Sequence, residues 1–379
     1  MTVLNPHANR GVSWMCLSRL DQTIGSYRQS VNTPHWRRAI VIVALLIGTV
    51  LLPASPALAG PHGLTTGVAV AASSSGNWTY VAATDKTSST VGYDMWELGG
   101  NGFSFSPLGS LPGVCATTTS PAVSLVHNGG DVSVLARGVD GNVCVFQASF
   151  DHNTVSGWLP MGIVTNVAPG AGSSGDRTVA VVVATDGRIF YDWWDLGTSR
   201  HGFREVPGGG RTDAAVAVAA VNNGNYVFLL MKGTDGLLYG NQGTPGGGFT
   251  GWQSWGIHTN VAPGAASWGN RSVALVTATS GLIYYDWWDL GGGGHGFRPV
   301  PGGLVTDAGP AGSLVANGTY LFVLAKDVGS DADIFVNQGT VGGGFVGWGT
   351  SNVTGPGPFG CGPWSRRPWP WSWSGGDGW

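Results

Sequence analysis

The sequence predicts an all-β protein, a six-bladed β-propeller built from four-stranded blades, and two alternating repeats carry this prediction. The first repeat is Tyr191–Gly197 (YDWWDLG), followed by His201–Gly208; it returns 94 residues later as Tyr285–Gly291, and a fainter copy is Tyr93–Gly99. The second repeat, clearest in Asp235–Trp252, lies between copies of the first and returns in Asp333–Trp348 and Asp140–Trp158. Two repeats that alternate at half a common period indicate an array of small, similar units.

Interleaving the two repeats divides the chain into six units of about 47 to 52 residues, the length of one four-stranded propeller blade. The units lie near 65–111, 112–163, 164–210, 211–257, 258–304 and 305–350. A ring is favoured because each blade has two apolar faces that only its neighbours can cover. Two alternatives stay open: a β-helix, whose coils would be much shorter, and tandem β-sandwiches, which would show no half-period.

The fourth unit shows the expected strands most clearly. Four strands are predicted, Asp213–Val221, Tyr226–Met231, Leu237–Gln242 and Phe249–Trp255, with an Asp235-Gly236 hairpin turn between the second and the third. The composition agrees, because 65 glycines and 18 tryptophans with only 10% charged residues are typical of short strands joined by tight turns. No segment after residue 60 has a sustained helical period.

Residues 1–59 are predicted to be a secretory signal. Arg37 and Arg38 precede an apolar run from Ala39 to Leu52, and a small-residue string ends at Ala59. The run is shorter than the roughly 20 residues of a spanning helix, and an uncleaved membrane anchor is the alternative. We therefore expect a secreted or cell-surface protein, with a membrane contact only if this segment is retained.

Residues 60–354 are assigned to the propeller and residues 355–379 to a flexible tail rich in Pro, Gly and Trp. Without the signal the chain loses five arginines and one aspartate, which leaves 13 basic and 20 acidic residues. This acidic balance argues against nucleic acid and anionic membranes as partners. The oligomeric state is not indicated by the sequence.

Cys115 and Cys144 are the expected disulfide pair, since both would lie on strands of one blade. Cys16 would be removed with the signal, and Cys361 would remain in the tail. No spacing of these cysteines is typical of a zinc site. We expect neither a metal nor a cofactor.

The Asp-Gly-x-Leu-Tyr-x-Asn-Gln and Gly-Gly-Phe-x-Gly-Trp elements of Asp235–Trp252 resemble the blade signature of the PLL-type bacterial β-propeller lectins, within the sialidase-like propeller superfamily. The resemblance covers about residues 65–350. It implies a lectin that holds fucose-like or other monosaccharides in shallow pockets between blades, against aromatic side chains. Those lectins are usually seven-bladed, so seven blades stay an alternative. The first repeat also departs from the family, because it ends in Gly-Phe-Arg-x-Val-Pro-Gly.

The first repeat supplies most of the candidate ligand-binding residues, because aromatic rings cover the apolar face of a sugar while polar groups bind its hydroxyls. The candidates are Tyr191, Trp193, Trp194, Asp195, His201, Arg204, Tyr285, Trp287, Trp288, Asp289, His295, Arg298, Tyr93 and Trp96. Successive strand residues face opposite ways, so the two tryptophans of each pair cannot share a pocket wall. The alternatives are that these rings are core between blades and that the His and Arg side chains are solvated loop residues.

The second repeat adds two Asn-Gln pairs, Asn241 with Gln242 and Asn337 with Gln338, whose amides suit sugar hydroxyls. Strand amides can equally bind backbone groups in turns. We therefore expect non-catalytic carbohydrate binding at repeated sites between blades. A structural or protein-binding propeller is the second interpretation. A glycosidase or sialidase-like hydrolase is the third, although no motif typical of hydrolases is present and the candidate acids recur with the blades.

Overall fold

The computed structural model describes residues 66–86, 88–99, 105–108, 115–329 and 333–350. The predicted signal segment, the predicted tail, Cys16 and Cys361 lie outside these residues. Within them the chain forms six four-stranded antiparallel sheets. In this part of the chain no helix has the length and apolar character needed to cross a membrane. The predicted six-bladed, all-β propeller is confirmed.

Each blade consists of four consecutive strands, numbered here from the innermost to the outermost. Blade 1 contains β1 (Ala71–Ser75), β2 (Trp78–Thr84), β3 (Val91–Glu97) and β4 (Ser106–Pro107). Blade 2 contains β5 (Ala122–Val126), β6 (Asp131–Arg137), β7 (Asn142–Ser149) and β8 (Thr154–Val164). Blade 3 contains β9 (Gly170–Ser174), β10 (Arg177–Val183), β11 (Ile189–Asp195) and β12 (Arg204–Glu205).

Blades 4 to 6 repeat this order. Blade 4 contains β13 (Ala217–Val221), β14 (Tyr226–Lys232), β15 (Leu237–Gly243) and β16 (Gln253–His258). Blade 5 contains β17 (Gly264–Trp268), β18 (Arg271–Thr277), β19 (Ile283–Asp289) and β20 (Arg298–Pro299). Blade 6 contains β21 (Ala311–Val315), β22 (Tyr320–Lys326), β23 (Ile334–Thr340) and β24 (Trp348–Thr350). The outermost strand is only two residues long in blades 1, 3 and 5.

The core is divided among the six junctions between neighbouring blades. A separate cluster of buried apolar side chains fills each junction, including the one between blade 6 and blade 1. Strands β2, β10 and β18 alternate between the two faces of their sheets, so one strand supplies side chains to both junctions. Each blade is thus covered on both sides by its neighbours.

The ring closes by packing of blade 1 against blade 6. The innermost strands of these blades contact each other, as do those of every other adjacent pair. The hydroxyls of Thr79 and Ser313 are 2.6 Å apart, and the Leu314 amide donates to Ser74 Oγ at 3.0 Å. Neither blade borrows a strand from the other, since each is built from four consecutive strands.

A buried threonine marks the entry to each blade. Its Oγ1 accepts a hydrogen bond of 3.0 to 3.2 Å from the backbone amide two residues later, which makes a tight turn before the innermost strand. The six residues are Thr66, Thr117, Thr165, Thr212, Thr259 and Thr306. This turn explains why β13 begins at Ala217 rather than at the predicted Asp213.

The predicted hairpin turn in blade 4 is present, with the Leu237 amide donating to Asp235 Oδ1 at 3.0 Å. The outermost strand of that blade starts at Gln253, four residues later than predicted. The reason is that Asn241 Oδ1 accepts a hydrogen bond from the Gly251 amide at 3.0 Å and holds the preceding segment as a loop.

Cys115 and Cys144 form a disulfide with a Cα–Cα distance of 5.9 Å, in the core between blades 1 and 2. Cys144 lies on β7 as expected, whereas Cys115 precedes β5 and is not on a strand.

Candidate functional site

The two tryptophans of each YDWWDLG copy point into different junctions. Trp194 packs with blade 2 residues in the junction between blades 2 and 3, while Trp193 packs on the core shared with blade 4. In the same way Trp288 packs against blade 4 and Trp287 against blade 6. The second tryptophan of each pair therefore belongs to a junction in which an even-numbered blade precedes an odd-numbered one. Two of these junctions, between blades 2 and 3 and between blades 4 and 5, open into clefts.

The larger of these two clefts lies between blades 4 and 5 and is called the 4/5 cleft. Its volume is about 680 Å³. Strands β14, β15 and β16 form one wall, and β19 with the loop that follows it forms the other. The aromatic lining comprises Phe228, Trp255, Trp288 and Phe297, and the polar side chains include Gln242, Gln253 and Asp286.

The aromatic rings of the 4/5 cleft contact one another mainly edge to face. The Trp255 and Trp288 ring centroids are 5.3 Å apart at 81°, and Trp288 meets Phe228 at 5.2 Å and 77°. Trp255 is also 5.9 Å from Phe297. Gly240 permits this arrangement, because a Cβ at that position would come within 2.8 Å of the Trp255 ring. Trp288 is 6% exposed and belongs to the core, whereas Trp255 and Phe297 are half-buried at the cleft wall.

Asp286 places a carboxylate in the aromatic cleft. Its Oδ1 accepts hydrogen bonds from the backbone amides of Trp287 at 2.7 Å and His295 at 2.9 Å. Its Oδ2 accepts none from the described residues. Gly294 lies beside this oxygen, where a Cβ would be only 2.5 Å from Oδ2. One oxygen thus fixes the β19–β20 loop, and the other is available to a ligand hydroxyl.

A second opening, the 2/3 cleft, has the same place between blades 2 and 3 and a volume of about 260 Å³. Trp194 and Gln147 occupy the positions that Trp288 and Gln242 have in the 4/5 cleft. Its other walls carry hydroxyls and two carboxylates instead of aromatic rings. At the junction of blades 6 and 1, Trp96 meets Phe322 edge to face at 5.9 Å. The segment Asn101–Phe103, which follows the fainter copy of the first repeat, lies outside the described residues.

A different arrangement surrounds Trp193 on the opposite face of blade 3. Arg177 on β10 donates to both oxygens of Asp195, at 2.6 and 2.9 Å, and its guanidinium carbon lies 4.5 Å from the Trp193 ring centroid. The His201 ring stacks on Trp193 at 3.5 Å and 17°. The Arg177 hydrogen bonds lower the pKa of Asp195, which keeps its carboxylate charged.

Blade 5 repeats this arrangement with Arg271, Trp287, Asp289 and His295. The Arg271–Asp289 hydrogen bonds are 2.8 and 2.9 Å, the guanidinium is 4.6 Å from the Trp287 centroid, and His295 stacks at 3.6 Å. Each arginine also donates to a backbone carbonyl of the next blade, at 3.3 Å for Arg177 and 3.0 Å for Arg271. The ring systems of Trp193 and Trp287 are therefore engaged by protein side chains, and neither residue lines the two clefts.

The other candidates lie in three settings. Tyr191 and Tyr285 are 3% exposed and meet Phe249 and Phe345 of the following blades. Tyr93 stacks on Tyr80 at 5.4 Å, in the junction of blades 1 and 2. Arg204 and Arg298 are exposed on the short outermost strands β12 and β20.

Of the two Asn-Gln pairs, the asparagines bind backbone groups. Asn241 donates to the Pro207 carbonyl and Asn337 to the Pro301 carbonyl, and each side-chain oxygen accepts an amide from its own blade. Gln242 is exposed and lines the 4/5 cleft, while Gln338 is half-buried at the equivalent position of blade 6.

Several residues at these sites were not among the sequence candidates. They are Arg177, Arg271, Gln253, Trp255, Asp286 and Phe297. The arginines could have been found, because Arg177 and Arg271 follow the same 94-residue spacing as the tryptophans they contact. Trp255 has no tryptophan at the matching position of blade 2, where Met161 occurs, so the repeat does not mark it.

The comparisons with known proteins agree with this architecture. Neither a protein-family model nor a curated protein matches the sequence. The BP39L lectin from Burkholderia pseudomallei is similar in structure, with a TM-score of 0.56 and 18% identity over 75% of this chain and 84% of that one. AofleA from Arthrobotrys oligospora gives a TM-score of 0.58 at 12% identity, covering 76% and 86%. The Aleuria aurantia lectin, described as a six-bladed β-propeller with a novel fucose recognition mode, gives 0.53 at 15%, covering 74% and 94%. These likenesses establish the fold.

Metal ligation has no evident place in the described ranges, which contain no group of three or more His, Cys, Asp or Glu side chains arranged to hold an ion. The polar groups of the clefts are instead amides, hydroxyls and carboxylates. Such groups bind ligand hydroxyls and amines.

Proposed function

We propose that this protein is a non-catalytic carbohydrate-binding propeller whose principal site is the 4/5 cleft. The observation that carries the proposal is the combination of aromatic walls with the free Oδ2 of Asp286 and the amides of Gln242 and Gln253. Aromatic rings cover the C–H face of a sugar, and a few polar groups fix its hydroxyls. The cleft volume also suits a monosaccharide or disaccharide.

Structural neighbours support the same function. The Aleuria aurantia lectin and the SapL1 lectin are described in complexes with methyl fucosides, and both have this fold. The blade signature in Asp235–Trp252 resembles that of the PLL-type lectins within the sialidase-like superfamily. A neutral monosaccharide such as fucose is therefore the first ligand class to test. Repeated weak sites on one ring would add avidity toward a glycan-bearing surface.

The number of carboxylates at the cleft supports a non-catalytic role. Glycoside hydrolysis generally uses two carboxyl groups about 5 to 9.5 Å apart, across the scissile bond. Asp286 is the only acidic side chain among the described residues that line the 4/5 cleft. One carboxylate, held by two backbone amides, can bind a hydroxyl but lacks the partner that the hydrolytic mechanism requires.

An extracellular location belongs to the same proposal. Disulfides persist in oxidising compartments, and the Cys115–Cys144 bond lies in the core between two blades. The predicted signal segment gives the route of export.

The proposal is tested by calorimetric titration of the full chain with methyl α-L-fucoside and a panel of neutral monosaccharides. Asp286→Asn should weaken binding about tenfold, because it removes a charge-assisted hydrogen bond to the sugar. Asp192→Asn is the matched control. Asp192 makes the same two backbone contacts in blade 3 but is 1% exposed and lines neither cleft. A folded protein that binds no sugar in the panel would overturn the proposal.

A further inference from the structure

The 2/3 cleft differs from the 4/5 cleft at two positions of one strand. In blade 4 these positions are Tyr226 and Phe228 on β14, and in blade 6 they are Tyr320 and Phe322 on β22. The residues at the same register in blade 2 are Asp131 and Ser133 on β6. They pair with Ser149 and Gln147, as Tyr320 and Phe322 pair with Thr340 and Gln338 in blade 6 and as Phe228 pairs with Gln242 in blade 4. Blade 2 thus exchanges an aromatic pair for an acid and a hydroxyl.

The exchange at Ser133 removes an aromatic contact that the equivalent tryptophans of the other two junctions have, although Trp194 itself stays 4% exposed in the core of its junction. Phe228 and Phe322 each meet the equivalent tryptophan edge to face, at 5.2 and 5.9 Å. Ser133 is too short for such a contact, and the space it leaves forms part of the 2/3 cleft. Trp194 is therefore the one aromatic side chain among the described residues that line this cleft, and the others are polar or aliphatic.

The exchange at Asp131 places an uncompensated carboxylate in this cleft. Asp131 is 7% exposed, and its Oδ2 is buried without a hydrogen-bond partner among the described residues. A buried polar atom without a hydrogen-bond partner is unfavourable unless a ligand or ion supplies one. Asp131 lines the cleft, so a ligand placed there can supply the missing partner.

The side chains that line the 2/3 cleft favour a positively charged ligand. Among the described residues that line it, the charged side chains are Asp131 and Asp176, and no lysine or arginine is present. His127 contacts Asp176 from outside the lining, at 3.3 Å. The remaining polar groups are one amide, Gln147, and the hydroxyls of Ser133, Ser149, Thr154, Ser156, Thr178 and Thr198. A polyhydroxylated cation satisfies both sets of groups.

We infer that the 2/3 cleft binds an amino sugar, with the protonated amine paired to Asp131 and the ring against Trp194. This inference rests on the proposed carbohydrate function but concerns a different cleft and a different ligand class. The 2/3 cleft would then bind a sugar that carries a primary ammonium group, while the 4/5 cleft binds a neutral sugar. One ring carries two specificities because one blade departs from the repeat.

The test is calorimetric titration of the full chain with glucosamine, using glucose and N-acetylglucosamine as neutral comparisons. Glucosamine should bind the 2/3 cleft about tenfold more tightly than either neutral sugar, since only its amine is charged. Asp131→Asn should remove this preference without lowering the melting temperature. Ser133→Phe should abolish glucosamine binding by restoring the ring of blades 4 and 6, and Asp286→Asn should leave it unchanged.

Several outcomes would overturn the inference. Loss of glucosamine binding in Asp286→Asn alone would place the ligand in the 4/5 cleft. Equal affinity for glucosamine and glucose would show that the amine is not recognised. Displacement of glucosamine by ammonium chloride at equal concentration would reduce the site to a cation site. A lower melting temperature for Asp131→Asn would make Asp131 a structural residue. Binding of neutral sugars without glucosamine would leave the proposed function intact, whereas no binding of any sugar would remove both.

Discussion

Trp255 and Trp288 meet edge to face at 5.3 Å across the junction of blades 4 and 5, but they differ in burial. Trp288 is a core residue at 6% exposure, and Trp255 is half-buried at the cleft wall. Through this contact, the core of the junction between blades 4 and 5 adjoins the candidate binding site. The two residues should therefore respond differently to truncation.

Trp288→Ala is expected to destabilise the protein by about 3 to 5 kcal/mol, the range for loss of a large buried aromatic side chain. Trp255→Ala should have a smaller effect on unfolding and should abolish measurable fucoside binding, because a wall of the cleft is lost. Chemical denaturation and calorimetric titration of both variants give the two quantities. Equal destabilisation by the two changes would assign Trp255 to the core rather than to the site.

Trp287→Ala should lower stability while sparing the 4/5 cleft. The ring of Trp287 contacts Arg271 and His295 and lies on the core shared with blade 6. We expect a lower melting temperature and unchanged fucoside affinity, with Trp193→Ala behaving alike in blade 3. If either variant stayed fully stable but lost sugar binding, the first tryptophan of each pair would be the binding residue.

Acid should weaken the Arg177–Asp195 and Arg271–Asp289 pairs. Hydrogen bonds from the arginines lower the pKa of each carboxyl in the folded protein below the ordinary value of 3.8. A lowered folded-state pKa means that the stabilisation is present above about pH 4 and is lost as the pH falls through that folded-state pKa. Both carboxylates are more than one-third exposed, so the two pairs together should contribute about 1 kcal/mol at neutral pH.

The check is a comparison of melting temperatures from pH 7 to pH 2 for the wild type and the Asp195→Asn, Asp289→Asn double variant. The wild type should be the more stable protein at neutral pH, and the difference should shrink below pH 4. Other carboxyls with lowered pKa values, such as Asp186 and Asp235, are common to both proteins and cancel. A difference that does not change with pH would contradict the assignment.

Removing the disulfide should destabilise the first two blades. Cys115 and Cys144 are 29 residues apart, and closing a loop of that size typically stabilises a protein by about 3 to 4 kcal/mol. Cys144→Ser with Cys115→Ser should lower the melting temperature, and the wild type under reducing conditions should match the variant. Identical unfolding of the oxidised and reduced protein would show that the bond is energetically neutral.

The blade count was predictable because the repeats record it directly. The 94-residue spacing of Tyr191 and Tyr285, with a second repeat between the copies, leaves room for two blades per period. Strand boundaries were less predictable. The start of β13 depends on a turn fixed by the Thr212 hydroxyl, a contact that apolar patterning does not contain.

The types of side chain at the candidate site could be predicted from the sequence, but the junction in which they meet could not. Alternation along a strand shows that Trp287 and Trp288 face opposite junctions, but it does not say which junction opens. That depends on the Gly-rich loop after β19, which leaves Asp286 beside Gly294. The departure of Asp131 and Ser133 from the repeat is visible in the sequence. Its functional consequence could not be predicted, because only the fold shows that these residues of β6 and Trp194 line the same cleft.

Because the propeller closes without a strand shared between its first and last blades, its chain ends can be moved to another junction. Every blade is a continuous segment, and the junction of blades 6 and 1 is held by the same kinds of contact as the others. New chain ends placed at another junction, with the present ends of the ring joined by a linker, would sever no sheet. Circularly permuted proteins of this sequence should therefore fold, and each 94-residue pair of blades should be able to occupy any of the three positions in the order of the chain.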